Sequence, residues 1–176
     1  AEMSDILGAA MDAGAFGMSS GLTYTPGMYA DTAELEALCR IVAERGGYWA
    51  PHTRSYGGAA LDAYREALDI GRRTGCPIHL THATMNFAPN RGRAAELLAL
   101  VDQAVDDGVD VTLDTYPYLP GATTLAALLP SRLAESGDLL GAIAALDDAG
   151  RESVRVELEE IGCDGFHGER ADWGAI

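Results

Sequence analysis

The chain has 176 residues, 48% of them hydrophobic and 22% charged, which is enough apolar material for a core and too little charge for a disordered segment. A formal net charge of −15 and a pI near 4.4 repel phosphate backbones and anionic lipid, so neither nucleic acid nor a membrane surface is an expected partner. No apolar run approaches the roughly 20 residues that span a bilayer. All 12 basic residues are arginine, and the missing lysine excludes Schiff-base, phosphate-loop and lysine-bridged dimetal chemistry from this chain. The N-terminus lacks a basic stretch followed by an apolar one, and Cys39, Cys76 and Cys163 are odd in number and widely spaced, so the expected setting is a reducing cytoplasm.

From the N-terminus, Gly14 to Ser19 reads as a short strand. Asp31-Thr32-Ala33-Glu34 then has the capping-box pattern ahead of a helix with Leu35, Leu38, Ile41 and Val42 on one side, ending near Gly46-Gly47. Tyr48 to Thr53 is the next strand, and Gly58 to Arg73 the next helix, with Leu61, Tyr64 and Leu68 inward and Gly75 and Pro77 as its stop. A third unit pairs a strand over Ile78 to Ala83 with a helix over Arg93 to Asp107, burying Leu97, Leu98, Val101, Ala104 and Val105. The fourth strand is Val109 to Thr115.

Strand starts near residues 15, 48, 78 and 109 are about one βα unit apart, and right-handed crossovers make such strands parallel. The fold class is α/β, as part of a (β/α)8 barrel or a doubly wound sheet. A full barrel needs ~250 residues, so a barrel reading implies a partial one. The predicted organisation is a block of βα units over residues 1–122, then a helical insertion and glycine-rich tail over 123–176. In the second block Thr123 to Leu133, Asp138 to Leu146 and Arg151 to Ile161 read as helices.

Catalytic groups of parallel α/β folds sit at the carboxyl ends of strands. His52 and Arg54 lie at the end of the second strand and His82 at the end of the third, 30 residues further on. Adjacent parallel strands run about 4.8 Å apart, close enough for two imidazoles at equal height to meet one cation. Either histidine alone reads as a hydrogen-bonded core residue. The pair at matching positions of successive units favours a metal or active site, whose remaining ligands come from elsewhere. The local pattern Cys76-x-x-His79-x-x-His82 is rejected, because about 20 Å of extended strand separates its ends and residue 79 points to the opposite face. Cys76 reads as a small apolar residue, His79 as packed or supporting, and His167, in a glycine-rich loop, as solvent-facing.

In order along the chain, Gly14-Ala15-Phe16-Gly17-Met18-Ser19-Ser20-Gly21-Leu22-Thr23-Tyr24-Thr25-Pro26-Gly27, His52-x-Arg54, Leu80-Thr81-His82 and Asp114-Thr115-Tyr116-Pro117-Tyr118 resemble the N-acyl-D-amino-acid deacylases (D-aminoacylases) of the amidohydrolase superfamily, over roughly residues 5 to 135. The resemblance implies a zinc-dependent amidase on a (β/α)8 TIM-like barrel, with one or two Zn2+ ions and a small-molecule N-acyl-D-amino acid as substrate. It implies His52 and His82 as metal ligands, and Tyr24, Arg54 and Tyr116 near the substrate, with a structural ion pair as the alternative for Arg54. It gives Asp114 a structural role, and it places the His-x-His strand, the cysteine ligand and the general-base aspartate outside this chain. By the same implication the chain is a middle portion that depends on the remainder of its polypeptide and does not catalyse alone.

Two departures bear on specificity. Relatives often carry lysine where this chain has Thr84, and serine where it has Ala122, with Thr123 one residue later. Carboxylate anchoring then passes to Arg54 or Arg91. The rival readings are a dihydropyrimidinase-like cyclic amidase, which commonly uses the carboxylated lysine absent here, and a non-catalytic barrel relative.

Overall fold

All four expected strands form, the first three each followed by a helix that leads to the next strand alongside. The structure, a computed structural model, describes residues 2–118 and 120–175. An N-terminal helix α1 (Glu2–Asp12) precedes β1 (Gly17–Gly21), α2 (Thr32–Glu44), β2 (Tyr48–His52), α3 (Ala60–Thr74), β3 (Ile78–Leu80), α4 (Ala94–Asp106) and β4 (Val111–Leu113). The strands make one parallel sheet in sequence order, with Gly17 to Gly21 paired to Tyr48 to His52, Trp49 to Ile78, and Ile78 to Leu80 paired to Val111 to Leu113. This is the α/β architecture of successive βα units on one parallel sheet.

The helix boundaries follow from local chemistry. Asp31 caps α2 by accepting from the Glu34 N–H at 2.7 Å, satisfying one of the donors a helix start leaves open. Gly75 ends α3 in the left-handed conformation at φ 70°, with its N–H returned to the Gly71 carbonyl. α1 is not among the expected elements; it packs along α2, where Arg45 reaches Asp12 at 2.8 Å.

Alternation along β2 sends Trp49 and Pro51 into the helical layer and leaves Tyr48, Ala50 and His52 on the opposite face. Trp49, Tyr64, Ile70, Ile78, Leu80 and Val42 are fully buried between sheet and helices and form the centre of the core. The Trp49 indole N–H, which would otherwise be stranded there, donates to Ser20 Oγ at 3.1 Å.

Several expectations change. The third and fourth strands are shorter than their apolar runs, because the chain turns at His82 (φ 39°) and leaves the ladder after Leu113. On α4, Leu97, Val101 and Ala104 are buried as expected, whereas Leu98 (54% exposed) and Val105 (50%) face outward; the apolar stripe of this helix is wider than the surface that covers it. The expected helix over 123–133 is two 3-10 turns, Leu125–Leu128 and Ser131–Leu133. Pro130 explains the break: it has no N–H to continue a helix and holds Leu129 extended at ψ 156°. Beyond it α5 (Leu139–Ala144) and α6 (Asp148–Val156) form, the latter continuing into a π-helical turn at Glu157–Ile161. The tail has no strand among the described residues and builds a small core of its own from Leu158, Cys163 and Phe166. No described helix is long and apolar enough to cross a membrane.

Removing the Trp49 ring should leave the largest void in the main core. We expect Trp49→Ala to lower unfolding stability by about 3–5 kcal/mol, read as a shift in the urea midpoint at unchanged slope.

Candidate active site

His52 ends β2 on the face away from the helices, and its ring is clamped at both nitrogens. Thr23 Oγ1 lies 2.8 Å from Nε2, and His82 Nε2 lies 3.2 Å from Nδ1. With Nε2–H donating to the threonine hydroxyl, Nδ1 presents a lone pair towards His82. Burial, then the neighbouring rings of His82 and His167, pulls the His52 pKa down to about 4, so the imidazole is neutral and ligand-competent near neutrality.

Strand register alone does not bring the two histidines level. Trp49 pairs with Ile78, which places His52 opposite Thr81 and His82 one residue beyond. The turn at His82 supplies the difference. A positive φ is unusual for a residue with a side chain, and here the surroundings hold it: the His82 N–H donates to Asp114 Oδ1, the Ala83 N–H to the Asp114 carbonyl at 2.7 Å, and the Thr84 N–H to Tyr64 Oη at 2.8 Å. Asp114 therefore positions a site residue from the end of β4. Its second oxygen, Oδ2, lies 2.9 Å from His79 Nε2, and that ring's Nδ1 lies 2.8 Å from Thr112 Oγ1. The His79 hydrogen bond, followed by the His82 N–H, holds the Asp114 carboxyl below its ordinary range.

The 3.2 Å between the two facing nitrogens fits a shared metal. Two nitrogens each about 2.0–2.1 Å from one tetrahedral ion stand roughly 3.3–3.4 Å apart. Among the described residues, no group of three or more histidine, cysteine, aspartate or glutamate side chains is placed to hold one ion, so this pair alone offers at most two donors to one.

The pair opens onto a cavity of about 600 Å³ lined by Tyr24, His52, Tyr56, His82, Tyr116 and His167, among others. Tyr24 packs on His52 with ring centroids 4.8 Å apart. Tyr24 and Tyr116 both line the cavity. Arg54 does not line this cavity. Its guanidinium donates to Glu66 Oε2 at 2.7 Å and to the carbonyls of Met28 and Ala30, so the geometry favours the structural ion pair over a substrate contact. Cys76 is buried in the core as a small apolar residue. His79 lies on the face away from the helical layer, as His52 does, edge-on to Tyr48 at 6.3 Å and with Nε2 2.9 Å from Asp114 Oδ2.

Two residues escaped the sequence reading. Tyr56 is buried with its ring centroid 4.9 Å from His52, 5.3 Å from His82 and 5.5 Å from His167, and burial pushes its phenol up to about 12. Its oxygen accepts from the Thr53 N–H at 3.0 Å, and the buried Asn90 amide donates to the Tyr56 and Gly57 carbonyls. Asn90, far along the chain, thus orders the run Ser55-Tyr56-Gly57-Gly58. His167, expected to face solvent, is a wall of the cavity.

No protein-family model matches the chain. Two solved structures are similar to the chain: the Bordetella bronchiseptica N-acyl-D-glutamate deacylase complexed with zinc and a phosphonate inhibitor (TM-score 0.65, 45% identity, over 66% of this chain and 24% of that one), and a D-aminoacylase described as defining a novel subset of amidohydrolases (TM-score 0.63, 35% identity, over 68% and 26%). The fold is that of the amidohydrolases, represented by four parallel strands and the three helices that connect them. Among curated proteins, the N-acyl-D-glutamate deacylase of Alcaligenes xylosoxydans xylosoxydans is 44% identical over 137 residues, which are 78% of this chain and 28% of the relative. The chain belongs to the D-aminoacylase family, the N-acyl-D-amino-acid deacylases, and spans about a quarter of the length of these relatives.

The buried His52 ring makes a pH prediction. A proton taken up by the unfolded chain near pH 6.5 is refused by the folded one until about pH 4, so stability is retained above 6.5 and falls as pH drops through that window. Ring-proton NMR of the metal-free protein should show one histidine with a midpoint about 4, absent in His52→Gln; an ordinary midpoint for every histidine would contradict the assignment.

Proposed function

We propose that this chain carries part of the active site of a zinc-dependent deacylase that hydrolyses the amide bond of N-acyl-D-amino acids to a carboxylate and a free D-amino acid. The observation that carries this reading is the facing of His52 Nδ1 and His82 Nε2 at metal-sharing distance on the wall of a ligand-sized cavity. The zinc reported for the related N-acyl-D-glutamate deacylase supports the choice of metal.

His52 and His82 would hold the ion. When bound, zinc supplies Lewis-acid activation of water and of the amide carbonyl. The chain's own contribution is orientation. Thr23 orients the His52 ring, Asp114 holds the turn that aims His82, and Tyr56 packs edge-on against both rings. The phenols of Tyr24 and Tyr116 are placed to donate to the carbonyl or carboxylate oxygens of a substrate in the cavity. None of the described lining residues is a carboxylate, so the general base that takes the proton of the attacking water is not among them. We therefore read the 176-residue chain alone as inactive, and the remainder of a longer polypeptide as the source of the base and the other ligands. Four parallel units with an open inner face suit a barrel completed in this way. A cytoplasmic setting agrees with three free cysteines.

The test is metal content after equilibrium dialysis against zinc. His52→Ala and His82→Ala should each lower zinc affinity at least tenfold, and Asp114→Asn, which keeps the shape but weakens the hold on the His82 N–H, by about 10–100-fold. Equal zinc in all variants and wild type would remove the ligand assignment. For the polypeptide completed by the relatives' missing elements, release of free amino acid from N-acetyl-D- but not N-acetyl-L-substrates is expected; indifference to stereochemistry would contradict the substrate class.

A further inference from the structure

The cavity wall lacks what its proposed ligand needs most. An N-acyl amino acid brings a carboxylate, yet no arginine or lysine lines the described cavity: Arg54 is committed to Glu66 and two carbonyls, and Arg91 is not part of the lining. The side-chain nitrogen donors available are Asn86 and three histidines, of which His52 and His82 face each other. His167 is the histidine left over.

Its placement is built. Gly57 lets the 162–169 loop approach: a Cβ at that position would lie 2.8 Å from the His167 carbonyl oxygen and 3.0 Å from its Cβ, and the Gly58 N–H donates to Glu169 Oε1 at 3.0 Å. The His167 ring stands edge-on to Tyr56 at 5.5 Å and near Phe87 at 5.6 Å, on a left-handed backbone of φ 57°. Its Nδ1 is sealed from solvent with no hydrogen-bond partner, and its Nε2 makes no hydrogen bond within the described chain. A sealed, unpartnered N–H costs more than a bare lone pair where no acceptor is available, so the neutral tautomer puts the proton on Nε2. Burial lowers the pKa of this histidine and keeps that tautomer neutral.

We propose that His167 is a substrate-binding residue whose Nε2–H donates to the carboxylate of the N-acyl amino acid, taking the place of a cationic anchor in this cavity. The proposal rests on the deacylase reading above. It also gives the tail a function: the segment from Glu157 to Ala171 docks against the β2–α3 loop to deliver one imidazole to a site otherwise made by the βα units. A hydrogen bond to a charged acceptor is worth about 1.5–3 kcal/mol, or roughly ten- to hundredfold in affinity.

The experiment measures binding of N-acetyl-D-leucine and of N-acetyl-D-leucinamide, which replaces the carboxylate by a neutral amide, to the zinc-loaded protein by calorimetry. The leucine side chain suits the apolar lining of Phe87, Leu125, Leu128 and Phe166. Wild type should favour the acid over the amide. His167→Asn, which tolerates the left-handed backbone, and His167→Phe, which keeps the ring packing, should each lose the acid at least tenfold while the amide changes less than threefold. His167→Gln, with a longer amide donor, should recover part of the acid preference. Unchanged acid binding in the variants, or equal losses of acid and amide, overturns the His167 assignment and leaves the deacylase reading standing. Failure of wild type to bind either compound, with zinc retained, overturns both.

Discussion

The whole site depends on one meeting of side chains: two imidazoles from successive parallel strands brought to 3.2 Å at the carboxyl rim of the sheet. Parallel pairing fixes strand spacing at about 4.8 Å and so sets the scale on which two side chains can share an ion. Register then falls one residue short, and the left-handed turn at His82 makes up the difference. A functional contact that relies on an uncommon backbone angle has to be held from outside, and β4 does this through Asp114.

That dependence explains the order of the supporting interactions. Asp114 reaches the His82 N–H with one oxygen and the His79 ring with the other, so a histidine remote from the cavity steadies the carboxylate that aims a histidine lining it. Thr23, just past β1, does the equivalent for His52. All four strands thus send a side chain or a turn to a centre of two rings, and Tyr56 packs edge-on against both. Orientation of this kind is what keeps a ligand's lone pair directed at a metal, and it comes before any chemistry.

Much of the framework was legible in the sequence because it rests on local rules: period-2 and period-3.6 patterns, the Asp31 cap and the Gly75 stop gave four βα units in order. His52 and His82 were found from repetition at strand ends. Local rules failed where distant residues decide the outcome. Tyr56 is organised by Asn90, 34 residues away, and His167 enters the cavity because Gly57 leaves room for its loop. Arg54 lay at the right end of the right strand, but Glu66 on α3 and two carbonyls before α2 claim its guanidinium. Pro130 was visible, yet apolar periodicity around it suggested a helix that its missing N–H does not allow. Family resemblance covered the βα units and was weak over the tail, so it carried no information about His167.

The most direct measurement is an anomalous difference map from a zinc-soaked crystal of this protein. The account requires a single strong peak about 2.0–2.1 Å from both His52 Nδ1 and His82 Nε2. A peak elsewhere, or the two rings still joined by a hydrogen bond with no metal between them, would contradict it.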